Sequence, residues 1–216
     1  MLKDFSKSNS IINHYVSQLR DAEIQGDRMR FRENVKRCGQ LLAYEISKTL
    51  KYKKKETETP LGVAECNVLE DRVVIASILR AGLPFHQGFL DVFDEADNAF
   101  VSAYRKHHKD GTFEIDLQYL TCPPLEDSVL ILCDAMLATG ASIHKAIKSF
   151  ESYGKPRKIY MATVISSTDG IKYLSRLYPR IDIWTCAVDE ELTARSYIVP
   201  GLGDAGDLCF GEKLQD

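Results

Sequence analysis

From Arg72 onward, short apolar runs alternate with amphipathic stretches of helical length. The runs are VVIASIL, AFVSAY, VLILCD, IYMATVI and IDIWTCAV, and none shows the polar alternation of a half-exposed strand. The intervening segments predict helices near Pro84 to Val92, Ser142 to Tyr153 and Asp169 to Tyr178. Strands that are apolar on both faces, interleaved with helices, predict an α/β fold: a parallel sheet with helices on both faces. Upstream, Phe31, Val35, Cys38, Leu42 and Ile46 recur at helical spacing, which predicts a long amphipathic helix from about Asp27 to Leu50. Its apolar face reads as core packing or as a dimer surface.

Two segments break this rhythm. KYKKKETET, Lys51 to Thr59, is strongly charged and reads as a linker between a helical N-terminal region, residues 1–55, and the rest. YRKHHKDGTFEIDLQYLTC, Tyr104 to Cys122, carries a Lys-Asp-Gly turn and partial alternation at Phe113, Ile115 and Leu117. That is a hairpin signal in a segment too polar for a central strand, so it predicts an arm projecting from the sheet. With no internal repeat and no low-complexity tract, residues 1–216 read as a single domain.

Composition narrows the class of function. A 44% hydrophobic and 27% charged chain can bury a substantial core, and a net charge of -3 offers no global positive field for nucleic acid. Six scattered cysteines without a CxxC pair read as reduced thiols rather than disulfides or a zinc site. The first ten residues, MLKDFSKSNS, lack the apolar core of a signal peptide, and no apolar run approaches the ~18 residues of a membrane span. The expectation is a soluble, cytoplasmic protein without nucleic-acid or membrane partners.

Parallel sheets of this kind bind ligands in the loops at the carboxyl ends of their strands. In VLILCDAMLATGAS, Val129 to Ser142, a buried strand ends in Asp134, a loop of small residues follows, and Thr139-Gly140-Ala141-Ser142 opens a helix. Free N–H groups at such a helix start suit a phosphate, the Thr139 and Ser142 hydroxyls can add hydrogen bonds, and Asp134 is placed for ribose hydroxyls. No Lys follows the glycine, so this is not a Walker loop. The competing reading is an Asp and a Thr that merely cap a helix. ILRAG, Ile78 to Gly82, brings Arg80 to another strand end, as a planar cation for pyrophosphate or as an ordinary solvated arginine. YIVPGLGDAGDLCFG, Tyr197 to Gly211, has four glycines, a proline and two aspartates without helical period. It predicts an ordered loop with exposed backbone groups and an acid at the ligand, or else a chain-end turn. The histidines lie at no ligand spacing, and Lys53-Lys54-Lys55 reads as a solvated face.

Together these segments resemble the uracil phosphoribosyltransferases, a branch of the type I phosphoribosyltransferases. DAMLATGAS is similar to that family's phosphoribosyl-pyrophosphate loop, ILRAG to its pyrophosphate loop, Tyr104-Arg105 to the base of its flexible arm, and YIVPGLGDAGD to its base-binding segment. Arg30 to Glu33 and Ala43 to Glu45 extend the likeness toward the N-terminus. Ala135 stands where the family has proline, Ala141 where it has glycine, and Thr193 and Ser196 where it usually has Asn and Gly; after Arg105 the arm reads KHHKDGT rather than an NEET-like run.

The resemblance implies a projecting β-arm at about 104–122, a hood at about 189–211, and transfer of phosphoribosyl from phosphoribosyl pyrophosphate (PRPP) to uracil. By it, PRPP is bound by Arg80, Arg105, Asp134, Ala135, Met136, Leu137, Ala138, Thr139, Gly140, Ala141, Ser142 and Asp204. Uracil is bound by Ile198, Gly203, Asp204 and Ala205, with Asp204 and Arg105 catalytic. No acid follows Asp134, so Mg²⁺ is expected to be held by PRPP and water rather than by protein ligands. The small molecules uracil and PRPP are the expected partners, with a homodimer or higher homo-oligomer fitting the arm and the long helix. Two alternatives stay open: a binding or regulatory protein that keeps the fold, and the same chemistry on another base.

Overall fold

The computed structural model describes the backbone of residues 1–107 and 113–213, and side chains outside 103–118. The chain opens with a short strand, β1 (Leu2–Asp4), two helices, α1 (Ile11–Arg20) and α2 (Arg28–Ser47), and a hairpin of β2 (Tyr52–Thr59) and β3 (Gly62–Leu69). Then follow β4 (Val73–Leu79), α3 (Gly82–Leu90), β5 (Asp97–His107), β6 (Phe113–Thr121), β7 (Val129–Leu137) and α4 (Ala141–Phe150). The last part holds β8 (Lys158–Ser167), α5 (Thr168–Leu177), β9 (Asp182–Asp189), the short pair β10 (Glu191–Leu192) and β11 (Ile198–Val199), and α6 (Ala205–Phe210).

Seven strands form one sheet in the order β1-β9-β8-β7-β4-β5-β6, parallel throughout except between β5 and β6. Successive residues of each central strand enter opposite cores, which explains the missing polar alternation. Ile75, Ile131 and Trp184 pack with Leu19, Phe31, Leu42, Phe85 and Phe89 of α1, α2 and α3. Their neighbours Val74, Leu130 and Ile183 pack with Ile143, Ile147, Ile171 and Leu174 of α4 and α5. Helices thus cover both faces, as the sequence predicts.

The two segments that broke the rhythm behave differently from each other. Lys51 to Thr59 is not a linker. Residues 52–59 are strand β2, which pairs with β3 in register from Tyr52↔Leu69 to Thr59↔Gly62. Every residue of β2 is exposed, and Lys54 reaches Glu65 across the ladder at 2.6 Å. β2 therefore shows no apolar alternation, and β3 shows only a weak one, with Ala64, Cys66 and Val68 half-buried between exposed neighbours. The N-terminal region is likewise not purely helical, because β1 adds to the sheet edge beside β9 and the Met1 ammonium meets Asp182 at 2.8 Å.

In the arm at 104–122, β5 and β6 pair antiparallel, while the Lys-Asp-Gly turn lies outside the described residues; β6 also serves as the edge strand of the main sheet. β5 pairs with β4 only as far as Leu79↔Ser102, whereas its ladder with β6 runs on to His107↔Phe113. A register shift between Ser102 and Ala103 marks where the hairpin leaves the sheet, the re-aiming that a β-bulge provides. The side chains of Tyr104 and Arg105 lie outside the described residues. Among the described residues, no helix is long and apolar enough to cross a membrane.

Helix α3 is seated by a backbone contact. An ideal Cβ on Gly88 would stand 2.1 Å from the Lys36 carbonyl and 3.0 Å from the Gly39 Cα, and one on Gly39 would stand 2.3 Å from the Phe85 carbonyl. The axes of α2 and α3 cross at a separation that admits no side chain. Gly88→Ala is therefore expected to lower stability by about 1–3 kcal/mol through forced separation of the helices, whereas Leu83→Ala, on the exposed side of α3, should stay within ~1 kcal/mol. Urea-unfolding midpoints of the two variants check this; equal effects would mean the crossing yields freely.

Candidate active site at the carboxyl ends of the parallel strands

The sequence places the candidate loops after β4, after β7 and in the tail, and the fold brings all three together. Gly82 is the first junction. A Cβ there would lie 2.7 Å from the Cys133 carbonyl and 3.5 Å from the Asp134 Cα, so the ILRAG turn rests directly on the end of β7. Gly206 is the second, where a Cβ would lie 3.1 Å from Asp204 Oδ1 and 3.4 Å from Arg80 Nη2. Arg80, Asp134 and Asp204 thus come from distant parts of the chain to one region.

The β7 loop is shorter than the sequence suggests. Met136 and Leu137 still pair with Ile165 and Ser166 of β8, so the strand continues past Asp134 to Leu137. Ala135 and Leu137 send their side chains into the two cores, leaving only their backbone for a ligand. The open loop is Ala138, Thr139 and Gly140. Gly140 caps α4 with φ 82° and has no side chain to occupy the first-turn N–H groups of the helix. The Thr139 hydroxyl accepts a long 3.3 Å bond from the Ala141 N–H, and no other side-chain cap closes this helix start. That geometry favours an anion over simple capping. Ala141 begins the helix, and it is not among the non-glycine residues of positive φ, so its Cβ brings no backbone strain. Behind the loop, the Ser167 hydroxyl donates to the Ala138 carbonyl and accepts from the Gly170 N–H at 2.9 Å, fixing its rear wall.

Asp134 keeps some solvent exposure, but the crowded strand ends desolvate its carboxyl. Burial pushes its pKa up to about 7, while N–H groups of Met136 and Ala135 donate to it and pull the other way. Arg80 follows a cis Leu79–Arg80 peptide and is not free in this state. Its Nη2 pairs with Asp207 Oδ1 at 2.9 Å, and its guanidinium donates to the Gly211 carbonyl at 3.3 and 3.4 Å. Asp204 caps α6 by accepting from the Asp207 N–H at 3.1 Å, with Lys213 3.5 Å away. Both carboxylate oxygens are thus engaged, Oδ1 by the Asp207 N–H and Oδ2 by the long Lys213 contact, so a ligand role would displace Lys213.

The tail forms a hood. Ile198 is buried and pairs with Leu192, a cis Val199–Pro200 peptide turns the chain, and Gly201 and Gly203 take φ 59° and 88°. Ala205, fully buried, starts α6. The unusual residues Thr193 and Ser196 form a turn early in the hood. Ser196 adopts φ 62°, and the Thr193 hydroxyl accepts the Tyr197 N–H at 3.1 Å. Two residues that sequence reading passed over, Arg20 and Asp189, meet the hood at Gly201. Arg20 carries no sequence signal, because it ends an ordinary amphipathic helix. A larger cleft of about 1070 Å³ opens at the amino ends of β7 and β8, beside Leu130, Phe150, Lys158 and Tyr178, at the opposite edge from these loops.

The AQ2163 protein of Aquifex aeolicus superposes on this chain with a TM-score of 0.87 and 30% identity over the whole of both chains. An adenine phosphoribosyl transferase of Trypanosoma brucei, solved with AMP, pyrophosphate and ribose-5-phosphate, shares the fold at a TM-score of 0.57 and 11% identity, covering 89% of this chain and 86% of that one. The architecture is that of the type I phosphoribosyltransferases. Within it, the family model described as uracil phosphoribosyltransferase matches residues 6–212, and the chain belongs to that family. A uracil phosphoribosyltransferase of Porphyromonas gingivalis is 49% identical over 207 residues, 95% of this chain and 96% of that one. One from Methanothermobacter thermautotrophicus is 40% identical, covering 94% and 93%.

The raised Asp134 pKa has a measurable signature. An unfolded aspartate titrates near ~3.9, so between there and about 7 the folded state holds a proton that the unfolded chain has lost. The group's contribution to stability is complete below the lower value and is lost as pH rises through the upper one. Asp134→Asn should therefore lose less Tm than the parent between roughly pH 5 and pH 8. Parallel Tm curves for the two proteins would show that Asp134 titrates normally.

Proposed function

We propose that this chain transfers the phosphoribosyl group of PRPP to uracil, giving UMP and pyrophosphate in pyrimidine salvage. The observation that carries this reading is the convergence of a weakly capped helix start, a strand-end arginine and a glycine-rich hood in a chain of the uracil phosphoribosyltransferase family. In the reaction the uracil N1–C1 bond forms as the C1–O bond to pyrophosphate breaks, and the N1 proton is released. Positive charge builds on the ribose ring and negative charge on the departing pyrophosphate.

The residues divide that work by position. The N–H groups opening α4, with Thr139, Gly140, Ala141 and Ser142, hold the ribose 5-phosphate. Asp134 accepts from the ribose hydroxyls, once it has given up the proton that burial makes it hold more tightly. Arg80 turns from Asp207 to the pyrophosphate, exchanging one charge-assisted partner for a more highly charged one. Arg105, at the base of the arm, is assigned to the same pyrophosphate by family likeness, and Asp204 to the ribose. Ile198, Gly203 and Ala205 line the base through backbone groups.

Among the described residues, no group of three His, Cys, Asp or Glu side chains is arranged to hold a metal. Asp134 and Asp204 are lone carboxylates, which would fit an Mg²⁺ ion carried by PRPP and water. Such an ion would supply positive charge to the leaving pyrophosphate. A homo-oligomer is part of the same reading, supported by the fully exposed Leu61 at the tip of the β2–β3 hairpin and the exposed Val63 beside it.

Two outcomes are expected. With PRPP present, turnover should follow the order uracil, thymine, cytosine. A hood with apolar side chains reads the base through fixed backbone donors and acceptors, and cytosine reverses the pattern they must match. Comparable turnover of cytosine and uracil would remove the uracil assignment, and turnover of no base would favour a binding protein. Arg80→Ala should cost about 2–5 kcal/mol in kcat/KM for PRPP, together with some loosening of the C-terminal segment that it now holds. Kinetics within about twofold of the parent would place the pyrophosphate elsewhere.

A further inference from the structure

The hood is anchored to the N-terminal helix, far away in sequence. Arg20, the last residue of α1, meets Asp189 in a two-pronged ion pair: Nη1 lies 2.8 Å from Oδ2 and Nη2 lies 2.8 Å from Oδ1. The same Nη1 donates to the Gly201 carbonyl at 3.0 Å, and the Gly201 N–H donates to Asp189 Oδ2 at 3.0 Å. Both backbone groups of Gly201 are therefore taken by one ion pair. The Asp189 side chain is 6% exposed and that of Arg20 23%, so the contact is shielded from water. Gly201 sits at φ 59°, where a Cβ would stand 2.0 Å from the Ile198 carbonyl.

The end of α1 is itself held. Gln25 Nε2 donates to the carbonyls of Leu19 and Arg20 at 3.1 Å each. Its Oε1 stands 3.9 Å from the place a Cβ on Gly203 would occupy, so this support reaches the second hood glycine. Three elements, the helix end, the end of β9 and the hood, close on one guanidinium.

We propose that Arg20 and Asp189 are positioning residues that set base specificity by fixing Gly201, and with it the direction of the backbone groups from Ile198 to Gly203. The inference rests on the reading of this segment as the base site. Backbone readers have no rotamer with which to correct an error; their aim is set by φ and ψ alone. A glycine in the left-handed region has many other conformations available, and only its partners hold it there. The ion pair supplies those partners to the two peptide units that flank the Gly201 Cα. Arginine suits the post because its planar fork serves two carboxylate oxygens and a carbonyl together, which the single ammonium of lysine does not.

The test compares Arg20→Lys, Arg20→Ala and Asp189→Asn with the parent, in steady-state assays that vary uracil and PRPP separately and in hydrogen exchange of residues 198–203. The expected result is a rise of about 10- to 100-fold in the uracil KM, because misaiming of roughly 1 Å is costly in a rigid site. The PRPP KM should stay within about threefold, a split that general loss of folded protein does not produce. The uracil-to-cytosine preference should fall, exchange across 198–203 should quicken in all three variants, and methylguanidinium should restore part of the uracil use of Arg20→Ala. An equal rise in both KM values, or unchanged uracil KM with unchanged exchange, overturns the proposal. If Asp189→Asn does not fold, Arg20→Lys carries the test alone, since it keeps the buried charge. Should the parent make no UMP from uracil, the functional reading falls separately. The exchange rates then decide whether the ion pair holds the loop, and protection in Arg20→Lys equal to the parent's refutes it.

Discussion

The site depends on loops whose main chains touch with no side chain between them. The turn after β4 lies on the end of β7 at Gly82, and the room left for a Cβ there is 2.7 Å from a carbonyl oxygen. Because Gly82 also begins α3, the path of that helix is set by the same contact, and α3 in turn lies against α2 through Gly88 and Gly39. A displacement at any of these places moves Arg80 relative to Asp134. Parallel strands make this possible: their carboxyl ends gather in one row, and each loop that leaves the row has to pass close over its neighbour.

Charge is used sparingly around that frame. The chain is nearly neutral overall, so attraction for a polyanionic cosubstrate comes from local features: the open helix start at Gly140 and the guanidinium of Arg80. In the free protein those features are kept in balance. Arg80 rests on Asp207 and on the Gly211 carbonyl, and Asp134 holds its proton more tightly than an exposed aspartate. On the proposed reading, a phosphorylated sugar would take Arg80 from these partners.

The hood illustrates a different economy. Its side chains are mostly apolar, and on the proposed reading its peptide units recognise the base. Precision of that kind has to come from whatever holds the peptide units in place, and the partners at Gly201 come from α1 and β9 rather than from the hood. The N-terminal helices therefore do more than fill the core: the end of α1 supports the hood through Arg20, and α2 supports α6 through Arg32, whose Nη1 donates to the Cys209 carbonyl at 2.7 Å.

The apolar runs after Arg72 determined the parallel sheet and its two covered faces, because burial on both sides leaves a pattern in composition alone. The glycine-rich loops and Asp134 were legible for a related reason: each is a local requirement written at its own position. The β2–β3 hairpin was not read from the sequence, since β2 is exposed along its whole length and β3 buries Ala64, Cys66 and Val68 only in part, and neither was the continuation of β7 to Leu137, which depends on hydrogen bonds to β8. Nor does any local pattern join Arg20 to Asp189 and Gly201, or Arg80 to Asp207. Those contacts exist only because folding brings charges from distant parts of the chain within 3 Å of each other, and a single sequence carries no signal of which distant charges will meet.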